Sequence, residues 1–130
     1  MTTAKYDFSV YEKRILYRIV EMAQGELQGV RFTTDCKKIE HTLFDTVHIT
    51  MPIASLLNGE SDENYTRVKQ ALLSLQKKIF TYEDEKEWIS ISIIALPKIK
   101  KRSSVVSFQI DSTHMGLLLR FFQKGFANTN

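Results

Sequence analysis

The chain has 130 residues, 43% of them hydrophobic, and its 18 Lys and Arg exceed its 15 Asp and Glu for a formal net charge of +3. This length favours a single domain over residues 1–130, with an ordered core from about residue 8 to 126, and leaves no room for a second domain of ordinary size. No apolar run approaches the roughly 18 residues of a membrane helix, no signal-peptide core is present, and the single cysteine, Cys36, excludes an internal disulfide. We expect a cytoplasmic protein without membrane contact.

The segment "SVYEKRILYRIVEMAQG" predicts a first helix that begins at Ser9 and stops near Gly25. Ser9 followed by Glu12 three residues later is the reciprocal capping pattern of a helix start. Apolar residues at helical spacing make one buried stripe from Ile15, Leu16, Ile19, Val20 and Ala23. The next segment, 25–43, keeps neither period for long and predicts short strands joined by a loop.

A strand and a short second helix are predicted next. The residues "FDTVHIT" alternate as a strand does. Thr50 before "MPIASLLNG" has the pattern of an N-cap with Pro52 in the first helical turn, and the helix is predicted to end at Asn58 and Gly59.

The third helix is the clearest element of the sequence. From Asn64, "NYTRVKQALLSLQKKIF" has a strong helical period, with an inner face of Val68, Ala71, Leu72, Leu75 and Ile79. The outer face and its flanks carry Thr66, Arg67, Lys69, Gln70, Ser74 and Lys77. Leu73 also projects outward, where it could contact a thymine methyl group, be buried in a dimer interface, or have no role.

Two alternating segments after the acidic run "YEDEKE" predict an antiparallel pair of strands. They are "WISISIIAL" and "SVVSFQI", and a basic turn joins them. Four cationic side chains cluster at this turn: Lys98, Lys100, Lys101 and Arg102. Asp111 or Ser112 is predicted to cap a last helix, "THMGLLLRFF".

This order of elements predicts an α+β fold, a winged helix-turn-helix with a helical core and an antiparallel hairpin as the wing. In that geometry the third helix presents its outer face to a DNA major groove, and the wing lies on the phosphate backbone. The predicted DNA-binding residues of the helix are Asn64, Thr66, Arg67, Lys69, Gln70, Ser74 and Lys77, and those of the wing are Lys98, Lys100, Lys101 and Arg102. The alternative is that both are solvated surfaces, since basic turns also protect strand edges.

The sequence has no pattern of a catalytic or metal site. His41, His48 and His114 lack metal-ligand spacing with Cys36 or with one another, and neither a Gly-rich phosphate loop nor a Gly-flanked nucleophilic serine occurs. We therefore expect no enzyme activity, no cofactor and no metal.

The chain resembles the N-terminal winged-helix domain of the bacterial plasmid replication-initiator (Rep) family. Four segments carry the resemblance over most of the chain: "SVYEKRILYRIVEMAQ", "FDTVHITMPIASLLNG", "NYTRVKQALLSLQKKIF" and "VSFQIDSTHMGLLLRFFQKGF". Each is a pattern of apolar and small positions, and their order and spacing make the likeness specific.

The resemblance implies a DNA partner in the form of plasmid origin repeats, called iterons, together with homodimerisation and contacts with host replication proteins. In the family, dimers tend to repress their own promoter while monomers initiate replication. Family members have a second winged-helix domain, which this sequence lacks, so the resemblance implies an excised domain or a short relative.

Two alternatives stay open. The first is a homodimerisation module with little DNA binding of its own, built from strand edges or from Leu73. The second is a winged-helix transcription regulator, because fold alone does not determine function.

Overall fold

The computed structural model describes residues 7–57 and 65–127 and consists of four helices and six strands. In chain order they are α1 (Val10–Leu27), β1 (Lys38–His41), β2 (Thr46–Pro52), α2 (Ala54–Leu57), α3 (Tyr65–Lys77), β3 (Ile79–Glu83), β4 (Trp88–Ser92), β5 (Ala95–Lys100), β6 (Val105–Asp111) and α4 (Met115–Ala127). None of the helices within the described residues is long and apolar enough to cross a membrane.

The first helix begins with the predicted cap and ends later than predicted. The Ser9 hydroxyl accepts a hydrogen bond from the Glu12 amide at 3.2 Å, and the Glu12 carboxylate accepts one from the Ser9 amide at 2.9 Å. The helix continues past Gly25 to Leu27. The residue with left-handed backbone that follows the helix is Gly29, with φ +95°. A Cβ on Gly25 would lie 3.0 Å from the Phe32 ring, so this glycine allows the ring to approach the helix.

Four of the strands form an antiparallel sheet with the strand order β1-β2-β6-β5. Its longest pairing joins β2 to β6, from Thr46 opposite Asp111 to Pro52 opposite Val105. Helices α1, α3 and α4 pack together, and their apolar faces share one core with the sheet. The largest fully buried side chains of this core include Phe80, Phe108, Phe122, Ile15 and Leu16.

The predicted strand over "WISISIIAL" is two strands, and a further strand precedes it. The chain bends at Ile93 and Ile94, whose side chains are buried in the core, so β4 and β5 belong to different sheets. β4 pairs with β3, where the helical pattern had placed the end of the third helix. Phe80 is buried in β3 while Ile79 is 43% exposed, so Ile79 is wrongly predicted as part of the inner helix face. The β-branched and aromatic side chains of this segment favour a strand.

The prediction for the start of the second helix is also wrong. Thr50 and Pro52 lie in β2, opposite Ser107 and Val105 of β6, and α2 begins only at Ala54. Strand pairing therefore outweighs the local capping pattern. The predicted end of this helix at Asn58 and Gly59 lies outside the described residues.

The remaining predictions near the sheet hold in part. In the segment 25–43 the strand is β1, and an isolated bridge joins Thr33 to Lys38. The Asp111 carboxylate accepts a hydrogen bond from the His114 amide at 2.7 Å, immediately before α4. Cys36 is a free, exposed thiol.

Candidate nucleic-acid interface

Helix α3 has one face in the core and the opposite face in solvent. Val68, Ala71, Leu72 and Leu75 are buried, as the helical period predicts. The exposed residues of the helix are Thr66, Arg67, Lys69, Gln70, Leu73 and Lys77, and Ser74 is half-buried. Asn64, predicted with them, lies outside the described residues. The described part of the outer face is therefore polar and cationic, with Leu73 as its apolar member at 44% exposure.

The basic segment forms the end of the hairpin β5–β6, but two of the four cationic residues predicted in its turn lie in the strand. Lys98 and Lys100 lie in β5, opposite Ser107 and Val105, while Lys101 and Arg102 lie in the turn; all four side chains are exposed. Because strand residues two apart point to the same face, Lys98 and Lys100 project together. Ile99 between them packs against the core. The hairpin therefore carries its charges on the side away from the core.

The base of this hairpin has an irregular backbone. Leu96 adopts φ +51°, a left-handed conformation that is uncommon for a leucine, and the register with β6 shifts between Ala95 and Lys98. A bulge of this kind bends a strand and re-aims the side chains that follow it. The irregularity therefore helps to set the direction of the lysines beyond it.

The helix and the hairpin meet along a cleft of about 710 Å³, which we call the α3–β5 cleft. Its lining residues are Tyr65, Thr66, Lys69, Leu72 and Leu73 from α3, and Pro97, Lys98, Ile99 and Lys101 from the hairpin. Of the predicted site residues, the cleft brings together Thr66, Lys69, Leu73, Lys98 and Lys101. The described others, Arg67, Gln70, Ser74, Lys77, Lys100 and Arg102, lie outside its lining.

Sequence reasoning missed four of the lining residues, which are Tyr65, Leu72, Pro97 and Ile99; it predicts Leu72 only as part of the inner face of the helix. The signal for the first was available, because Tyr65, Lys69 and Leu73 recur every four residues and so share one side of a helix. Pro97 carried no such signal, since its place depends on the bulge in β5.

Two arginines of α1 hold the short helix that precedes α3. The Arg14 guanidinium donates to the Leu56 carbonyl at 3.0 Å, and that of Arg18 donates to the Ser55 carbonyl at 3.2 Å. These bonds give side-chain donors to two carbonyl groups in the described part of α2. They attach α2 to α1, so both arginines have a structural role.

A buried ion pair attaches the end of α3 to the start of α1. Lys78 Nζ lies 2.6 Å from Glu12 Oε2, and the two side chains are 18% and 4% exposed. The ammonium group of Lys78 also lies 4.9 Å from the centre of the Phe8 ring. Burial alone would raise the pKa of the Glu12 carboxyl, but hydrogen bonds from Lys78 and the Ser9 amide, with the lysine charge, hold it below its ordinary value.

The acidic run belongs to the turn between β3 and β4 and not to the basic hairpin. Asp84 accepts hydrogen bonds from the amides of Lys86 and Glu87 at 2.8 and 2.9 Å. These two bonds lower the pKa of the Asp84 carboxyl. Separate sheets thus carry the acidic and the basic turns.

The chemistry that this surface offers is binding. Cationic side chains at the cleft and hairpin can neutralise phosphates, and the polar face of α3 carries amide and hydroxyl groups that can pair with base edges. Within residues 7–57 and 65–127, no group of three or more His, Cys, Asp and Glu side chains could hold a metal ion.

Comparison with known proteins gives a family and a solved structure. The family model described as "Initiator Replication protein, WH1" matches residues 1–130. The crystal structure of the MSBI1.176 WH1 domain, a replication protein isolated from a multiple sclerosis patient, matches with a TM-score of 0.56 and 13% sequence identity, over 92% of this chain and 87% of that one. Among curated proteins, no sequence matches. The shared fold confirms the predicted α+β winged-helix class.

Proposed function

Because the chain belongs to the initiator replication protein family, as a WH1 domain, we propose that it is the N-terminal DNA-binding domain of a plasmid replication initiator that recognises origin repeats. The observation that carries the proposal is the placement of the polar face of α3 and the cationic β5–β6 hairpin on either side of one cleft. DNA binding needs both parts, since backbone contacts position a protein and base contacts specify the sequence.

In the proposed complex, α3 enters the major groove and the hairpin follows the backbone. Gln70 can pair with an adenine edge, Arg67 with guanine, and Thr66 with either base. Ser74, Lys69 and Lys77, with Asn64 at the start of the segment, complete the helix surface proposed to face DNA. The hairpin contributes phosphate contacts from Lys98, Lys100, Lys101 and Arg102.

Homodimerisation is the second proposed role, and it would support repression of the protein's own promoter. Leu43 and Phe44 are 95% and 83% exposed in the turn between β1 and β2. β1 is the first strand of the sheet; residues 32–33 bridge its outer edge at Lys38 and Ile39, and beyond Ile39 that edge has no strand partner among the described residues. Exposed apolar side chains beside an open strand edge favour association between chains. Contacts with host replication proteins would belong to the initiation step itself.

Fluorescence anisotropy tests the DNA-binding proposal. The chain is titrated with random and iteron-containing duplexes at two salt concentrations, while light scattering gives its mass. We expect binding that weakens with salt and is tighter for the iterons, because phosphate contacts release counterions and base contacts depend on sequence.

A matched pair of charge reversals locates the interface. Lys101→Glu changes a lysine at the turn of the basic hairpin, and Lys86→Glu makes the same change at the β3–β4 turn. We expect Lys101→Glu to abolish binding at moderate salt and Lys86→Glu to leave it intact. Equal losses in both variants, or no binding by the parent chain at low salt, would refute the proposal.

A further inference from the structure

The α3–β5 cleft has a floor that DNA alone does not account for. Five of its lining residues are apolar or aromatic: Tyr65, Leu72, Leu73, Pro97 and Ile99. Leu73 is 44% exposed, and Tyr65, Pro97 and Ile99 are half-buried. A phosphodiester backbone offers little apolar surface to such a floor, whereas apolar patches with a polar rim are typical of protein interaction sites.

Among the described residues, the charged side chains that line the cleft are all cationic. Lys69 on the helix and Lys98 and Lys101 on the hairpin line it, and no acidic residue does so within the described chain. An occupant that fills the floor with apolar side chains therefore also meets three cations. Charge complementarity calls for carboxylates on both sides of the occupant's apolar stripe.

The hairpin disfavours an extended peptide as the occupant. β5 is the last strand of its sheet, so a strand could in principle be added at its open edge. However, Pro97 has no amide hydrogen to donate, and the register shift between Ala95 and Lys98 interrupts the regular pairing geometry. A helix needs no backbone pairing with β5, because it can place its apolar stripe directly in a groove.

We propose that the α3–β5 cleft binds an acidic amphipathic helix of a protein partner, and that this partner and DNA exclude each other. The apolar stripe of the helix contacts Leu73 and Tyr65, and its carboxylates pair with Lys69, Lys98 and Lys101. The exclusion rests on the proposed function, since it requires the same lysines to contact phosphates; the peptide binding does not.

A synthetic peptide tests the cleft without DNA present. The probe is a fluorescein-labelled helix of about 16 residues, with leucines at i, i+3, i+4 and i+7 and glutamates on its other faces. A matched peptide carries lysine in place of each glutamate. We expect the acidic peptide to bind the chain and the basic one to bind at least about tenfold more weakly, because it meets three lysines.

Two pairs of variants localise the binding. Leu73→Ser and Lys69→Glu should each weaken the acidic peptide about tenfold, since each removes a contact inside the cleft. Their controls are Leu27→Ser, an exposed leucine at the end of α1, and Lys86→Glu, and both should bind the peptide as the parent chain does. Circular dichroism melting checks that all four variants fold.

The outcomes separate the cleft proposal from the DNA proposal. Failure of the acidic peptide to bind, or equal binding by the cleft variants and their controls, overturns the peptide site. If Leu73→Ser weakens duplex binding and leaves peptide binding unchanged, the cleft belongs to DNA. If the chain binds peptide but no duplex, the proposed function fails while the cleft proposal stands. If it binds both and the peptide fails to displace a bound duplex, the exclusion is wrong.

Discussion

Lys78 Nζ lies 2.6 Å from Glu12 Oε2, which joins the residue after α3 to the first turn of α1. The same Glu12 carboxylate accepts a hydrogen bond from the Ser9 amide and so completes the cap of α1. One buried carboxylate therefore secures both the start of α1 and the end of the helix proposed to face DNA.

Loss of the lysine in this pair should destabilise the chain strongly. Lys78→Met leaves the Glu12 carboxylate buried without its counter-charge, and we expect the free energy of unfolding to fall by about 3 kcal/mol. Urea unfolding followed by circular dichroism measures it. Lys77→Met, one residue earlier and exposed, is the control and should change the value by no more than about 0.5 kcal/mol. A similar small change for Lys78→Met would show that the pair contributes nothing.

Acidification should weaken the fold through the same carboxylate. The pKa of Glu12 is lower in the folded chain than its ordinary value of 4.5, so its contribution to stability is complete above that value and is lost as the pH falls through the folded pKa. We expect unfolding free energies from neutral pH to about pH 3 to decline less steeply for Glu12→Gln, which keeps the capping box. Asp84, whose pKa is also lowered, contributes in the same direction, and Asp84→Asn isolates its share. Parallel pH profiles for the parent and Glu12→Gln would contradict the prediction.

The helix and the hairpin should differ in how they respond to sequence and salt. Lys101→Ala should weaken all duplexes alike and reduce the slope of log K against log salt by about 0.9, the effect of one lost phosphate contact. Gln70→Ala should cost about 1–3 kcal/mol on iteron duplexes and little on random ones, since it removes a base contact. Anisotropy titrations over a salt series measure both. If Gln70→Ala lowers the affinity for all duplexes equally, Gln70 does not contact bases and the proposed base recognition by α3 is contradicted.

Two glycines in helices should respond differently to the same substitution. A Cβ on Gly116, the second residue of α4, meets nothing within 4 Å, so Gly116→Ala should stabilise the chain by no more than the value for a helix interior, about 0.5–1 kcal/mol. A Cβ on Gly25 lies 3.0 Å from the Phe32 ring, and Gly25→Ala should gain less or lose stability because the ring must shift. Thermal melting of the two variants shows which of them is the more stable. Equal stabilisation would mean that the Phe32 ring adjusts without cost.

The proposed dimer should depend on the β1–β2 turn. Replacing Leu43 and Phe44 by serine removes the two most apolar exposed side chains of that turn, and we expect light scattering to show a shift from dimer to monomer. Leu73→Ser tests the other surface considered for association and should leave the dimer intact. If only Leu73→Ser dissociates the dimer, the interface lies at α3 and not at the β1–β2 turn.

The fold class and the buried face of α3 could be predicted because they depend on local periodicity. Val68 and Leu75 have the spacing of a helix stripe, and both are fully buried. The predictions failed where pairing partners distant in sequence decide the structure. Thr50 lies in a strand because Ser107 lies opposite it, and Ile79 leaves the helix because β3 pairs with β4. The cleft could be predicted only in part, since Lys69 and Leu73 show a helical spacing while the position of Pro97 depends on a bulge.

The amide of Ile53 donates to the carbonyl of Ser104 at 2.9 Å, which ties the residue before α2 to the last residue of the basic turn. This bond extends the β2–β6 pairing by one step beyond Pro52 opposite Val105, so the amide proton of Ile53 can exchange with solvent only as often as this end of the pairing opens. Hydrogen exchange at Ile53 therefore measures how often β6 separates from β2 beside the basic turn, and a duplex bound to that turn should slow it.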